Sequence, residues 1–274
     1  MVIIPKPNKP SYNLPKSFHP IILLNTLGKL IKKVIGERLQ FHVGSNDFIH
    51  PSQLGSLKFK STTNVDIALI YIIWLGWTRN HSTSTLASNI MQFFPSLNHC
   101  FPTRVIHKAS LDSRVVSFFS NYLIDRKTSY KWNSFSSPIF NINVEVGQES
   151  TLYPILSALY LSFSLYILEK CLKNLKIPIS IISFVDNGLF ILQAKSCNIS
   201  ESHLFCSYNI MTNLLDKFGV IVEHSKTKVF HFSRSQGLFN PPSLDLSPLE
   251  SPILTPKSLW KYLEFIFDRK LTFH

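Results

Sequence analysis

"ISFVDNGLFIL", residues 182–192, sets an Asp-Asn-Gly triplet between two apolar runs. Ile182, Phe184 and Val185 precede the triplet, and Leu189, Phe190 and Ile191 follow it. Short apolar runs bounded by turn residues read as strands. Asn and Gly accept positive φ at little cost, so the triplet is expected to form the turn of a hairpin. Asp186 is then either an ordinary turn residue or a carboxylate held at a hairpin tip for chemistry. The flanking chain has to separate the two.

Upstream of the hairpin, residues 151–168, "TLYPILSALYLSFSLYIL", carry no charge for 18 positions. That length is at the lower limit for a membrane span. Pro154, three serines and the bracketing Glu149 and Glu169 favour instead a helix buried under a sheet, roughly 150–176. Further upstream, 83–90 reads as a strand, 111–125 as a helix with Asp112 as N-cap, and 129–146 as a hairpin. Downstream come a helix near 202–217 and two short strands within 219–233. Apart from the intervening hairpin, the order from residue 83 is that of a βαββαβ sheet with helices on one face. In such a sheet the end of the 83–90 strand lies beside Asp186.

Residues 1–20 are rich in proline and lysine and read as extended. In 25–41, Leu27, Leu30, Ile31, Val34, Ile35 and Leu39 form a helical apolar stripe with the lysines facing away. Residues 62–77 read as a second, mostly buried helix, and 259–273 as a strand pair after the proline-rich connector 240–256.

The 274 residues are 45% hydrophobic with 22 Phe, enough for a large core and too apolar for wholesale disorder. Lys plus Arg number 28 against 16 Asp plus Glu, a net charge of +12, which points to a polyanionic partner, nucleic acid first. An anionic membrane surface stays open as an alternative. The four cysteines, Cys100, Cys171, Cys197 and Cys206, form no CxxC pair, so neither a zinc site nor a disulfide framework is expected. No signal-peptide pattern opens the chain, and an intracellular setting is expected.

Seven blocks carry a family resemblance. In order they are "LPKSFHPIILLNTLGKLIKKVIGERL", "HPSQLGSLKFKSTTNVDIAL", "TSTLASNIMQFFPSLNH", "VEVGQESTLYPILSALYLS", "SIISFVDNGLFI", "GVIVEHSKTKVFHF" and "WKYLEFIFDRKLTF". Their order resembles that of the reverse-transcriptase motifs of non-LTR (LINE-type) retrotransposons. The resemblance implies an α+β polymerase right hand: fingers in 1–80, and a palm in 81–274 built on a ferredoxin-like βαββαβ sheet. Within that palm, 129–146 is an embedded hairpin and 259–273 a primer-grip-like strand pair. The endonuclease region and the thumb of the family are expected to be missing. Implied partners are an RNA template, a DNA primer and dNTPs, with no membrane and no small-molecule cofactor; the implied location is nuclear.

The implied reaction is in-line displacement at phosphorus, in which two Mg²⁺ ions clamp the attacking and leaving oxygens. Mg²⁺ takes carboxylate oxygens and keeps several waters, so a few acids on adjacent strands suffice. By resemblance those acids fall at positions 89, 186 and 187, here Asn89, Asp186 and Asn187, which are the expected catalytic and metal-ligating residues. One carboxylate remains of three, so Mg²⁺ (or Mn²⁺) is expected to bind weakly and activity to drop by orders of magnitude.

The resemblance also assigns Phe94 to the incoming sugar, Gln148 to the nascent base pair and Lys226 to the triphosphate. An ordinary core Phe and a solvated turn lysine are the competing readings of Phe94 and Lys226. Template and primer contacts fall on His19, which replaces a family arginine, and on Tyr262 and Leu263. Glu149 and Glu264 stand where the family has glycine. Asp→Asn at 89 and 187, Gly→Glu at 149 and 264 and Arg→His at 19 can each arise from one G→A change. Only nine glycines remain, well below the ~7% average. Both features suggest a decayed copy of a mobile element. If either replacement glutamate is buried unpaired, it costs several kcal/mol.

Overall fold

The structure, a computed structural model, describes residues 2–14, 17–21, 25–91, 93, 113–141, 152–234, 241–246 and 253–272. In chain order the elements are β1 (Val2–Pro5), β2 (Phe18–Ile21), α1 (Thr26–Ser45), α2 (Thr62–Thr78), β3 (Ser82–Asn89) and α3 (Ser113–Leu123). The short strands β4 (Lys127–Thr128), β5 (Lys131–Trp132), β6 (Phe135–Ser136) and β7 (Phe140–Asn141) follow, then α4 (Tyr153–Asn174). Next come β8 (Ile179–Phe184), β9 (Asn187–Ala194), α5 (Cys197–Lys217), β10 (Lys228–Phe232), β11 (Leu259–Tyr262) and β12 (Phe265–Asp268). They fall into two compact units, Met1–Phe48 with Phe94–Tyr160, and Ile49–Phe93 with Leu161–His274.

In the first unit, β1 pairs antiparallel with β2 and meets β5 through Val2 opposite Lys131, giving the order β2-β1-β5-β6. Helix α1 is capped by Asn25, whose Oδ1 accepts from the Gly28 amide at 2.6 Å. Its orientation differs from the stripe expected in the sequence. Leu27, Leu30, Ile31 and Val34 are exposed, while Lys32, Gly36, Leu39 and Val43 are buried. The cause is a partner from far along the chain: Lys32 Nζ donates to Tyr122 Oη at 2.7 Å and sits 4.3 Å from the centre of that ring. An ammonium with a hydroxyl acceptor and an aromatic face can be buried where a bare one cannot.

The second unit holds the sheet, in the order β10-β3-β9-β8 with each neighbouring pair antiparallel. Strands expected at 83–90 and on both sides of Asp186 are present. Residues 219–233 supply one strand, β10, rather than two; before it stand a 3₁₀ turn, His224–Lys226, and a single bridge, Ile90 opposite Val222. Helix α5 starts at Cys197, five residues before the expected position.

Elements pack on both faces of this sheet, not on one. Val65, Leu69, Ile73 and Trp77 of α2 form a core with Ala87, Leu189, Ile191, Phe230 and Phe232 of the sheet and with Trp260, Tyr262 and Phe267 of β11–β12. Side chains alternate along a strand, so Phe190 and Leu192 point to the other face. Helix α5 lies against β3 and β9, and its Met211 and Leu215 help line a small cavity with Phe190. Double cover explains why β3 and β9 read as continuous apolar or small runs. Helix α2 keeps one exposed edge, Ile67, Tyr71 and Trp74, so it is less buried than expected. Among the described residues one helix, Pro154–Asn174, is long and apolar enough to cross a membrane, and 67% of its most apolar window is buried within the protein.

Candidate active site

Strand β3 ends at Asn89 and strand β9 begins at Asn187, and the two are register partners. Asp186 is the residue before β9. The Ile90 amide donates to its carbonyl at 2.9 Å, and the Glu223 amide donates to the Asn89 carbonyl at 2.7 Å. Main-chain bonds therefore bring the three half-buried side chains together, as the strand order implied.

Their side chains form a closed set of hydrogen bonds. Asn89 Nδ2 donates to Asp186 Oδ2 at 3.1 Å and to Asn187 Oδ1 at 3.2 Å. Asn187 Nδ2 donates to Asp186 Oδ1 at 3.1 Å. Each carboxylate oxygen of Asp186 thus faces an amide N–H. This donor set does not fit two divalent cations: it offers one negative charge, and that charge is already hydrogen-bonded. Among the described residues no three His, Cys, Asp or Glu side chains are grouped to hold a metal.

The turn is not where the triplet suggested. Phe184 pairs with Asn187, so the turn is Val185–Asp186, and Asn187 and Gly188 are already in strand. Val185 takes φ +56, and neither Asn187 nor Gly188 has positive φ. A two-residue hairpin needs φ > 0 at its first central position, whatever residue occupies it. Here a β-branched residue does, an uncommon and strained choice.

The other described positions fall on β2, the 3₁₀ turn and β11–β12. Lys226 is ion-paired with Glu223 at 2.6 Å, and that glutamate's amide reaches Asn89. His19 lies on β2 opposite Ile4. Phe94, Gln148 and Glu149 lie outside the described residues. Tyr262 is buried, and its hydroxyl has no partner among the described residues. Burial pushes that phenol well above its ordinary pKa, and the charges of Asp66 and Asp186 add to the shift. Leu263 and Glu264 form the turn of the β11–β12 hairpin with φ +45 and +77. Glu264 is exposed and 3.3 Å from Lys261, so the penalty expected for a buried glutamate does not arise there.

Sequence reasoning missed three residues. Asp66 is buried on α2 with both carboxylate oxygens unpartnered among the described residues, and burial raises its pKa to about 6. Gln53 and Gly55 lie against the hairpin; "HPSQLGSLKFK" was visible as a motif, but nothing in its residue types indicated what it touches.

The chain matches the reverse transcriptase (RNA-dependent DNA polymerase) family over residues 4–267, and it belongs to that family. Among solved structures it is similar to apo telomerase from Candida tropicalis, with TM-score 0.60 and 14% identity over 89% of this chain and 40% of that one. A form of that telomerase truncated from the C-terminal domain gives TM-score 0.59 and 14% identity, over 91% of this chain and 45% of that one. Telomerase from Candida albicans in complex with a fragment of telomeric RNA gives TM-score 0.55 and 13% identity, over 79% and 36%. At these identities the likeness shows the fold alone. The chain spans less than half of each of those chains.

Proposed function

We propose that this chain is the fingers-and-palm part of a non-LTR retrotransposon reverse transcriptase whose nucleotidyl-transfer site has lost two of three carboxylates. The seven ordered motif blocks support the non-LTR origin, and the single-step G→A departures support a decayed copy. One observation carries the functional part: Asp186 is the sole carboxylate of the triad, and two amides occupy its oxygens. The family works with divalent metal ions, and this triad has neither the charge nor the free oxygens for a pair of them.

What persists on this reading is nucleic-acid binding. The net charge of +12 suits an RNA template paired with a DNA primer, since phosphate contacts dominate such affinity. One of the similar telomerase structures contains RNA, which agrees with a nucleic-acid partner. Nuclear location belongs to the same proposal.

The test is primer extension on an RNA template with Mg²⁺ and with Mn²⁺, comparing the native chain with Asn89→Asp/Asn187→Asp. The expected result is no extension by the native chain and measurable extension by the double variant. Extension by the native chain would overturn the claim of a broken site. Hybrid binding is measured in parallel by fluorescence anisotropy, with affinity expected to fall steeply as salt rises.

A further inference from the structure

The tip that carries Asp186 is strained at Val185, and a segment outside the sheet holds it there. Ser183, three residues before Asp186, is engaged by three consecutive residues of the 52–54 stretch. Its amide donates to Ser52 O at 2.8 Å, its carbonyl accepts from the Leu54 amide at 2.8 Å, and its Oγ accepts from Gln53 Nε2 at 3.1 Å. Gln53 and Ser183 also form a parallel bridge at the edge of the sheet. Gln53 is 1% exposed, and its Oε1 accepts from the Gly55 amide at 2.9 Å, so one buried side chain joins the loop to the strand.

Gly55 sits against the next peptide. A Cβ there would lie 2.9 Å from the Phe184 carbonyl carbon and 2.9 Å from Val185 Cγ2, and closer still to the Val185 amide nitrogen. Only a hydrogen fits in that space, which places the loop on the peptide entering the strained residue.

We propose that Gln53 and Gly55 are positioning residues for the Asp186 carboxylate, acting through Ser183 and the Val185 backbone. A β-branched residue keeps positive φ only where its surroundings over-determine it. The Ser52–Gly55 segment supplies that constraint from the edge strand. Without it the Phe184–Asn187 pair opens, Val185 returns to the β region, and Asp186 swings away from the amides of Asn89 and Asn187. The coupling is independent of the polymerase reading; only the purpose of the tip rests on it.

The experiment follows the side-chain amide resonances of Asn89 and Asn187 by ¹⁵N–¹H NMR in the full chain, with melting temperature recorded for every variant. Gln53→Met keeps the volume and removes both hydrogen bonds. It is expected to move both amide pairs toward the positions of solvated amides and to speed their hydrogen exchange by at least about tenfold. Gln53→Glu, neutral when buried, keeps a carbonyl acceptor for the Gly55 amide and a hydroxyl donor for Ser183 Oγ; measured at acid pH, it is expected to leave the amide pairs in place. Gln193→Met, which breaks a hydrogen bond to Ile72 O elsewhere on the sheet, should lower the melting temperature without moving them.

Unmoved amide pairs in Gln53→Met, or an equal shift in Gln193→Met, would overturn the proposal. If Gln53→Met does not fold, Val185→Gly/Gln53→Met decides. Glycine needs no brace, so recovered folding supports the coupling and continued unfolding refutes it. Absence of hybrid binding by the native chain would count against the proposed function and leave the amide result untouched.

Discussion

Two hairpins in the same unit solve the same turn problem in opposite ways. Each has a two-residue turn with positive φ on a residue other than glycine: Val185 in β8–β9, Leu263 and Glu264 in β11–β12. At the first, neighbouring chain presses on the backbone, through Gly55 and the hydrogen bonds to Ser183. At the second, the strained glutamate is exposed and makes a surface ion pair with Lys261. Exposed pairs of that kind contribute little. The first turn is therefore held by tertiary contacts, and the second is tolerated because its surroundings leave room.

That contrast can be broken by charge, by volume and by relief of strain. The largest effect is expected from Asn89→Asp/Asn187→Asp. Three carboxylates within hydrogen-bonding distance resist ionising together, so the double variant should lose about 2–4 kcal/mol of stability at neutral pH. Urea denaturation should show the loss disappear as pH falls through the carboxylate range, and shrink on adding Mn²⁺ if the metal binds the folded state.

Asp66 is the next largest. Its pKa is about 6 in the folded chain because burial disfavours the charge, and near 3.8 otherwise. The folded state therefore holds the proton more tightly. Its contribution to stability is fully present below about pH 4, falls as pH rises toward 6, and stays lost above that. Asp66→Asn should flatten this slope and raise stability at pH 8 by about 2–3 kcal/mol, with no gain at pH 4. A pH series of urea melts reads both. An unchanged slope would mean that Asp66 finds a cationic partner.

Gly55→Ala should destabilise by about 1–3 kcal/mol, because the added methyl meets backbone that cannot withdraw. Glu264→Gly should do the opposite at the other tip. It removes positive-φ strain and loses only a surface ion pair, and is expected to stabilise by about 1 kcal/mol. Equal responses of the two tips to these variants would erase the distinction between them. Smallest of all is Val185→Gly: relief of strain worth about 1–3 kcal/mol is offset by the entropy of glycine and lost packing, for a net gain under about 1 kcal/mol. Thermal melts resolve both.

Strand order was legible because apolar runs, turn residues and helix periods alternate clearly from residue 82 onward. The meeting of Asn89, Asp186 and Asn187 was legible too, since the order βαββαβ brings the end of the first strand to the central hairpin. The turn itself was misplaced. Asn-Gly has the right intrinsic preference, yet the pairing of Phe184 with Asn187 moves the turn one residue pair earlier. Register is set by partner strands and by the segment behind β8, and local propensity yields to both. Helix α1 was misoriented for a similar reason, because Tyr122, 90 positions from Lys32, supplies the partner that lets a lysine turn inward.

By itself the sequence determined the alternation of helices and strands, the positive charge, the order of the motif blocks and the asparagines at positions 89 and 187, since each is a property of residue type and spacing. Only the tertiary structure decided which residue bears the turn strain, that Asp66 is buried without a partner among the described residues, and that amides meet Asp186. Those features depend on contacts between segments far apart in the chain, and residue preferences fix such contacts only after the packing is known.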